Sequence, residues 1–322
     1  MRRRNGSDIW ILDTIVDTWE NNALASELTR RQHNVRVVDW STVVVSGGPE
    51  DVVVDGAPCG APHLAVMKAR VLTRRSERDL ALIYDGLEAL EEAGTVFANT
   101  IASTRRTNNK LRHGGVLARA GIPIPPTRAV RTQADVEKCI FEWGEIVLKP
   151  VWGHASLDIL RIRKGGRDQD DQVALGLREE IFVWHLLERY GLLIAQPFVP
   201  NLGRDIRLTL VGRTIADCNY HVSTAPDGTV RHFLYPWQLQ AASLTPELED
   251  IAHRAVDALG LNFATIDLVE SAEGPVVIEV NDGLSAFRSI DGTEYDLTPR
   301  GHATLVADEL ERLLTTATVG RS

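Results

Sequence analysis

Phe263-Ala264-Thr265-Ile266-Asp267-Leu268-Val269-Glu270 and Pro275-Val276-Val277-Ile278-Glu279-Val280-Asn281 read as two strands joined by the short turn Ser271–Gly274. Side chains alternate along a strand, so Glu279 and Asn281 share a face, about 6–7 Å apart. Ala264, Ile266 and Leu268 make the apolar face of the first strand, which puts Asp267 on the opposite one. Paired through the turn, the strands bring Asp267, Glu279 and Asn281 to one patch. Two carboxylates and an amide oxygen, without His or Cys, form a hard-oxygen set suited to Mg²⁺ that keeps phosphate ligands. The bland alternative is a solvated polar face. Against it, an unpaired carboxylate would be costly inside Val276-Val277-Ile278-Glu279-Val280.

Upstream, Asp205–Val211 and Thr214–Tyr220 are strands joined by Gly212-Arg213. Between them and the pair lies a helix that Thr245 caps, with Pro246 at its first position and Gly260 at its end. Leu248, Ile251, Ala252, Ala255, Val256 and Leu259 give that helix one apolar face. A closing helix over His302–Leu314 follows. The first hundred residues read as α/β: strands at Asp8–Asp13 and Val35–Trp40, a helix between them, a hairpin over Thr42–Val54 and a helix carrying Leu80, Ile83, Tyr84, Leu87 and Leu90. No G-x-G-x-x-G follows a strand, which argues against a dinucleotide site. Residues 99–106 read as a helix-poor boundary before a basic helix over Asn108–Ala120. The expected domains are 1–104, 105–196 and 197–322.

The 322 residues hold 35 Lys and Arg against 44 Asp and Glu, a net charge of −9. Such a chain lacks the basic footprint of a nonspecific nucleic-acid or anionic-membrane binder. Three scattered cysteines exclude a disulfide framework, and no apolar run reaches a membrane span, so a cytoplasmic protein is expected. Lysine is scarce: Lys68, Lys110, Lys138, Lys149 and Lys164 are the whole set. Lys149 ends the apolar strand Ile146-Val147-Leu148-Lys149, where its ammonium can emerge at a cleft and hold polyphosphate as a point charge. The loop Trp152–Asp158 joins two strands, as a phosphate-covering hairpin would. There is no HExxH, no G-x-S-x-G and no Walker lysine.

The order of these pieces resembles the ATP-grasp superfamily and, within it, the RimK-type glutamate ligases. The resemblance covers roughly Leu80 to Leu297. It rests on Asn99-Thr100-Ile101-Ala102, Asn109-Lys110-Leu111, the connector Leu117–Pro125, Ile146-Val147-Leu148-Lys149-Pro150, Asp205-Ile206-Arg207 with Val211-Gly212, Ile266-Asp267-Leu268 and Ile278-Glu279-Val280-Asn281. It implies an α/β ATP-grasp fold: a Rossmann-like N-terminal domain, a central lid and a C-terminal antiparallel sheet. It further implies that Lys110, Lys149 and Gly153 contact ATP phosphates. Gln196, Phe198 and Val199 would bracket adenine through backbone groups, and Asp205 would lie near the ribose. Asp267, Glu279 and Asn281 would hold Mg²⁺, or Mn²⁺ in its place. Arg231 would meet the transferred phosphate and Arg207 the phosphates or a substrate carboxylate.

The implied reaction is ATP-dependent amide formation through an acyl phosphate, from a small-molecule carboxylate and an amine such as glutamate, in a monomer or homo-oligomer. Three departures from the family pattern stand out. The lid loop reads Gly153-His154-Ala155-Ser156-Leu157-Asp158, Phe233 replaces an asparagine near Arg231, and Asp282-Gly283-Leu284-Ser285 replaces a Ser-Pro-Gly turn. They point to a divergent acceptor, with Tyr235 or Trp237 either stacking on a pterin-like ring or serving as core. A catalytically lapsed ATP binder and a ligase for protein tails are the competing readings.

Overall fold

The computed structural model describes residues 6–46, 50–68, 71–72, 77–153, 158–163, 176–223, 237–282 and 302–319. The chain opens with β1 (Asp8–Asp13), α1 (Trp19–Arg30) and β2 (Asn34–Asp39), a right-reading β-α-β start in which the strands pair in parallel. A small antiparallel sheet follows, made of β3 (Val43–Val45), β4 (Val52–Val54) and β5 (Ala57–Pro58). The chain then lays β6 (Leu64–Met67) on the other side of β1, adds α2 (Glu77–Glu92) and closes the sheet with β7 (Val96–Phe97). The order is β2-β1-β6-β7. Alternation along β1 sends Ile9 and Ile11 to one face, against Leu24 and Leu28 of α1. Trp10 and Leu12 go to the other, against Leu80, Tyr84, Leu87 and Leu90 of α2.

The expected helix-poor boundary at 99–106 is in fact α3 (Ile101–Asn108). Thr100 caps it by accepting from the Ser103 N–H, and Asn109 ends it and caps α4 (Lys110–Arg119) by accepting from the Arg112 N–H. Ser103, Thr104, Thr107 and Asn108 are buried, so this polar helix is packed between lobes rather than exposed.

The middle of the chain forms β8 (Arg128–Val130), α5 (Gln133–Trp143), β9 (Glu145–Pro150), β10 (Leu160–Arg163), α6 (Leu177–Tyr190) and β11 (Leu193–Pro197). Its antiparallel sheet has the order β10-β9-β11-β8. Thr132 and Asp135 close α5 with a reciprocal capping box.

The last sheet is built from β12 (Arg204–Val211), β13 (Thr214–Ser223), β14 (Trp237–Ala241), β15 (Phe263–Ser271) and β16 (Gly274–Asn281), in the order β14-β13-β12-β15-β16. Between β14 and β15 runs α7 (Pro246–Leu259), capped by Thr245 as its sequence indicates. Its apolar face covers Ile206, Leu208, Leu210, Ala264, Ile266 and Leu268. The opposite face of the sheet is left for polar residues. α8 (His302–Val319), longer than expected, returns to the N-terminal lobe and packs Val306, Ala307 and Leu310 against Ile9, Ile11 and Leu28. Among the described residues no helix is long and apolar enough to cross a membrane.

Candidate active site on the polar face of the last sheet

The register of β15 and β16 places Asp267 directly opposite Glu279 and Thr265 opposite Asn281. β12 adds Arg207 opposite Asp267 on the other side, so Arg207, Asp267 and Glu279 form one row across three strands. The ladder slips after Asp267, where Leu268 pairs with Val277 and leaves Ile278 as the extra residue. The bulge keeps Val277 and Val280 in the core while Glu279 reaches the polar face. Ile278 consequently borders the cleft above the sheet.

Charge on this face is balanced pair by pair. Arg207 grips Asp267 with both ends of its guanidinium, Nε to Oδ1 at 2.6 Å and Nη2 to Oδ2 at 2.9 Å. Lys110, at the first turn of α4, places Nζ 2.8 Å from Glu279 Oε1 and also donates to the Gly153 carbonyl. The Lys110 backbone N–H is given to the Val151 carbonyl at 3.0 Å, which ties α4 to the strand carrying Lys149. Burial alone would push the Glu279 carboxyl up, but the ammonium groups of Lys110 and Lys149 outweigh it and hold the pKa at about 2. Burial pushes Lys149 down to about 8, against the pull of Glu279. His113, one turn after Lys110 on α4, is buried and drops to about 4 through desolvation and the nearby lysines.

Lys110, Lys149, His113, Gln196 and Ile278 border one cleft between the middle sheet and the last one. Gln196 Nε2 donates to Thr127 Oγ1 at 2.9 Å, which fixes the side chain away from solvent. Phe198 donates its N–H to the Glu145 carbonyl at 2.9 Å, and the Arg161 guanidinium covers its ring at 3.6 Å. Val199 is half-buried beside it. Asp205 lies two residues from Arg207 on the same face but is only 3% exposed, with an oxygen 3.7 Å from His221 Nδ1. Arg231, Phe233 and Tyr235 lie outside the described residues.

Ile278 and His113 were not singled out in the sequence. Three apolar residues in a row before Glu279 break the alternation, and that is the trace of the bulge. His113 left no such trace, because its environment exists only once α4 is packed.

The residues present fit a Mg²⁺ ion in the chemistry of their donors: two facing carboxylates and an amide, all hard oxygens. Among the described residues no three His, Cys, Asp or Glu side chains converge as a closed cage. A two-carboxylate set of this kind suits a cation that draws its remaining oxygens from a phosphate.

The RimK-like ATP-grasp domain model matches residues 107–296, more than half of the chain. The chain belongs to the RimK-like ATP-grasp family. All of the candidate site residues named above lie inside the matched span. Among curated relatives, the tetrahydromethanopterin:alpha-L-glutamate ligase of Methanosarcina acetivorans is 34% identical over 191 residues, 59% of this chain and 58% of the relative. A probable alpha-L-glutamate ligase of Coxiella burnetii is 29% identical over 207 residues, 62% of this chain and 64% of the relative. The chain thus spans less than two thirds of the length of these relatives.

Solved structures agree on the ATP-grasp fold over nearly the whole chain. The RimK domain ATP-grasp protein of Sphaerobacter thermophilus superposes with a TM-score of 0.67 at 23% identity, covering 95% of this chain and all (100%) of the other. The ATP-grasp ligase PsnB, complexed with a phosphomimetic variant of its minimal precursor, Mg and ADP, gives 0.67 at 18%, over 95% and 98% of the two chains. D-cycloserine synthetase DcsG gives 0.68 at 22%, over 95% and 99%.

Proposed function

We propose that this RimK-like ATP-grasp protein is an ATP- and Mg²⁺-dependent carboxylate–amine ligase that joins an amino acid such as glutamate to a small-molecule acid. The observation that carries the reading is the row Arg207, Asp267 and Glu279, met from across the cleft by Lys110 and Lys149. Fixed cations and carboxylates of this density fit phosphoryl transfer, in which positioning and charge neutralisation do most of the catalysis. The choice of glutamate is supported by the names of the relatives.

Lys110 and Lys149 hold the β- and γ-phosphates. To reach them, Lys110 exchanges its contact with Glu279 for a phosphate oxygen. Asp267, Glu279 and Asn281 hold Mg²⁺, with Mn²⁺ able to replace it, and the ion supplies Lewis-acid charge to the phosphoryl oxygens. Arg207 fixes both oxygens of Asp267 and so aims that carboxylate. The substrate carboxylate attacks the γ-phosphate, releasing ADP and leaving an acyl phosphate. The neutral amine then attacks the acyl carbon, phosphate leaves, and a proton is lost from nitrogen as the amide forms. Gly153 and its loop cover the phosphates, and Arg231 meets the transferred group. Gln196, Phe198 and Val199 line the adenine side, with Asp205 near the ribose. The N-terminal domain over 1–104, the lid over 105–196 and the metal-bearing part over 197–322 divide these tasks in the cytoplasm.

The test is ADP release with MgATP, glutamate and a panel of small-molecule acids. Turnover that needs both acid and amine is expected, and Glu279→Gln, with unchanged circular dichroism, lowers it by about 10²–10³-fold. Wild-type turnover in Glu279→Gln would sink the metal assignment. Nucleotide binding without turnover over a broad panel of acids and peptides would select the lapsed ATP binder instead.

A further inference from the structure

Among the described residues the β15–β16 ladder runs to the pair Thr265–Asn281. Beyond it, the backbone of Asn262, Phe263 and Asp282 is met by a side chain from the other lobe. Asn99, just beyond β7, is 8% exposed. Its Nδ2 donates to the Phe263 carbonyl at 2.8 Å and to the Asp282 carbonyl at 2.5 Å. Its Oδ1 accepts from the N–H groups of Asn262 at 2.7 Å and Phe263 at 2.9 Å. Those four bonds use both donors and both acceptor directions of the carboxamide, which bridges β15 and the residue after Asn281. Asn262 returns the contact, donating from Nδ2 to the Ala98 carbonyl at 2.8 Å.

Asp282 follows Asn281 directly, so alternation turns its side chain to the reverse side of the sheet from Asn281. It is 7% exposed and lies beside Thr104 of α3. Its Oδ2 has no hydrogen-bond partner, and the residue borders a small cavity with Met67, Asn99 and Thr104. The residue after the candidate metal ligand is therefore held through its carbonyl by Asn99, while its buried side chain packs beside Thr104 of α3.

We propose that Asn99 and Asp282 are positioning residues through which the N-terminal lobe sets the place of the metal ligand Asn281. The inference rests on the Mg²⁺-dependent reading above. Groups that orient a metal's direct ligands typically cost 10–100-fold in metal affinity or activity when removed. Asn99→Asp keeps the shape and the acceptor but turns an oxygen toward two carbonyls. Asp282→Ala removes the buried side chain that packs beside α3, whereas Asp282→Asn preserves its shape and one oxygen.

The experiment measures ADP affinity by calorimetry with and without Mg²⁺, on the full chain, and reads the ratio of the two. The wild-type protein is expected to bind ADP more tightly with Mg²⁺. Asn99→Asp and Asp282→Ala should reduce that gain by about 10–100-fold, with metal-free ADP affinity within about twofold of wild type. Asp282→Asn should recover most of it. A merely structural role would lower the melting temperature and leave the ratio unchanged. An unchanged ratio in folded Asn99→Asp, or in folded Asp282→Ala should Asn99→Asp not fold, overturns the inference. An equal loss of metal-free and Mg²⁺-dependent binding overturns it as well. A wild-type ratio of one would instead overturn the metal reading on which it stands.

Discussion

Lys110 shows how scarcity in the sequence becomes chemistry in the fold. A chain with only five lysines spends two of them, Lys110 and Lys149, on one cleft. Burial pushes the Lys149 pKa down, and Glu279 serves both lysines: it pairs with Lys110 at 2.8 Å and pulls Lys149 back up. His113 shares the Lys110 side of α4 at the i, i+3 spacing, and there Glu279 and the Thr107 carbonyl do not offset burial and Lys110. Its pKa falls from the usual 6.5 to about 4 because burial and Lys110 disfavour the imidazolium. Between those two values the unfolded chain binds more protons, so stability rises with pH through this window. The contribution is complete above pH 6.5 and is lost as the pH falls toward 4. From pH 7 to pH 5 the loss is about 2 kcal/mol. In His113→Gln the urea midpoint should fall less steeply over that range than in the wild-type protein. An identical slope in both proteins would show that His113 is not held neutral.

At the scale of elements, legibility followed periodicity. The pairing of Asp267 with Glu279 could be read because two apolar faces alternate cleanly up to that row. The Thr245 cap and the Gly260 stop of α7 were legible for the same reason: their chemistry is local. The Ile278 bulge was not, since a strand's register depends on its neighbour. α3 was misread because its buried face is polar: Thr107 and Asn108 can be buried because they donate to the Ser103 and Thr104 carbonyls one turn back, bonds that exist only once the helix has formed. That same helix makes Gly260 a strict requirement. Gly260 ends α7 with φ of +72°, and a Cβ there would lie 2.9 Å from Ser103 Oγ on α3. Gly260→Ala combines left-handed strain with a close contact and should cost about 1–3 kcal/mol. Urea denaturation measures it, and metal-free ADP affinity should be retained. A loss below about 0.5 kcal/mol, the range of neutral surface changes, would mean that α3 and α7 do not meet as tightly as described.

Over the whole molecule, the net charge of −9 is a background against which a local cationic cleft has to be assembled. No single element carries it. Lys110 comes from α4, Lys149 from β9 of the middle sheet, and Glu279 with Asp267 from the last sheet. The Lys110–Glu279 pair and the bond from the Lys110 N–H to Val151 join all three. A nucleotide bound there draws on separate sheets at once, so its binding energy is distributed as stability across them. Hydrogen exchange reads this directly, because exchange reports the opening of each segment. With MgADP, amides in 110–119, 145–150 and 274–281 should slow together. β1 and β2, whose sheet contributes none of these charged groups, should keep their rates. Slowing restricted to 145–150 would place the phosphates on the middle sheet alone. In that case the row formed by Arg207, Asp267 and Glu279 would be a structural charge network, and the cleft would have to be redrawn without it.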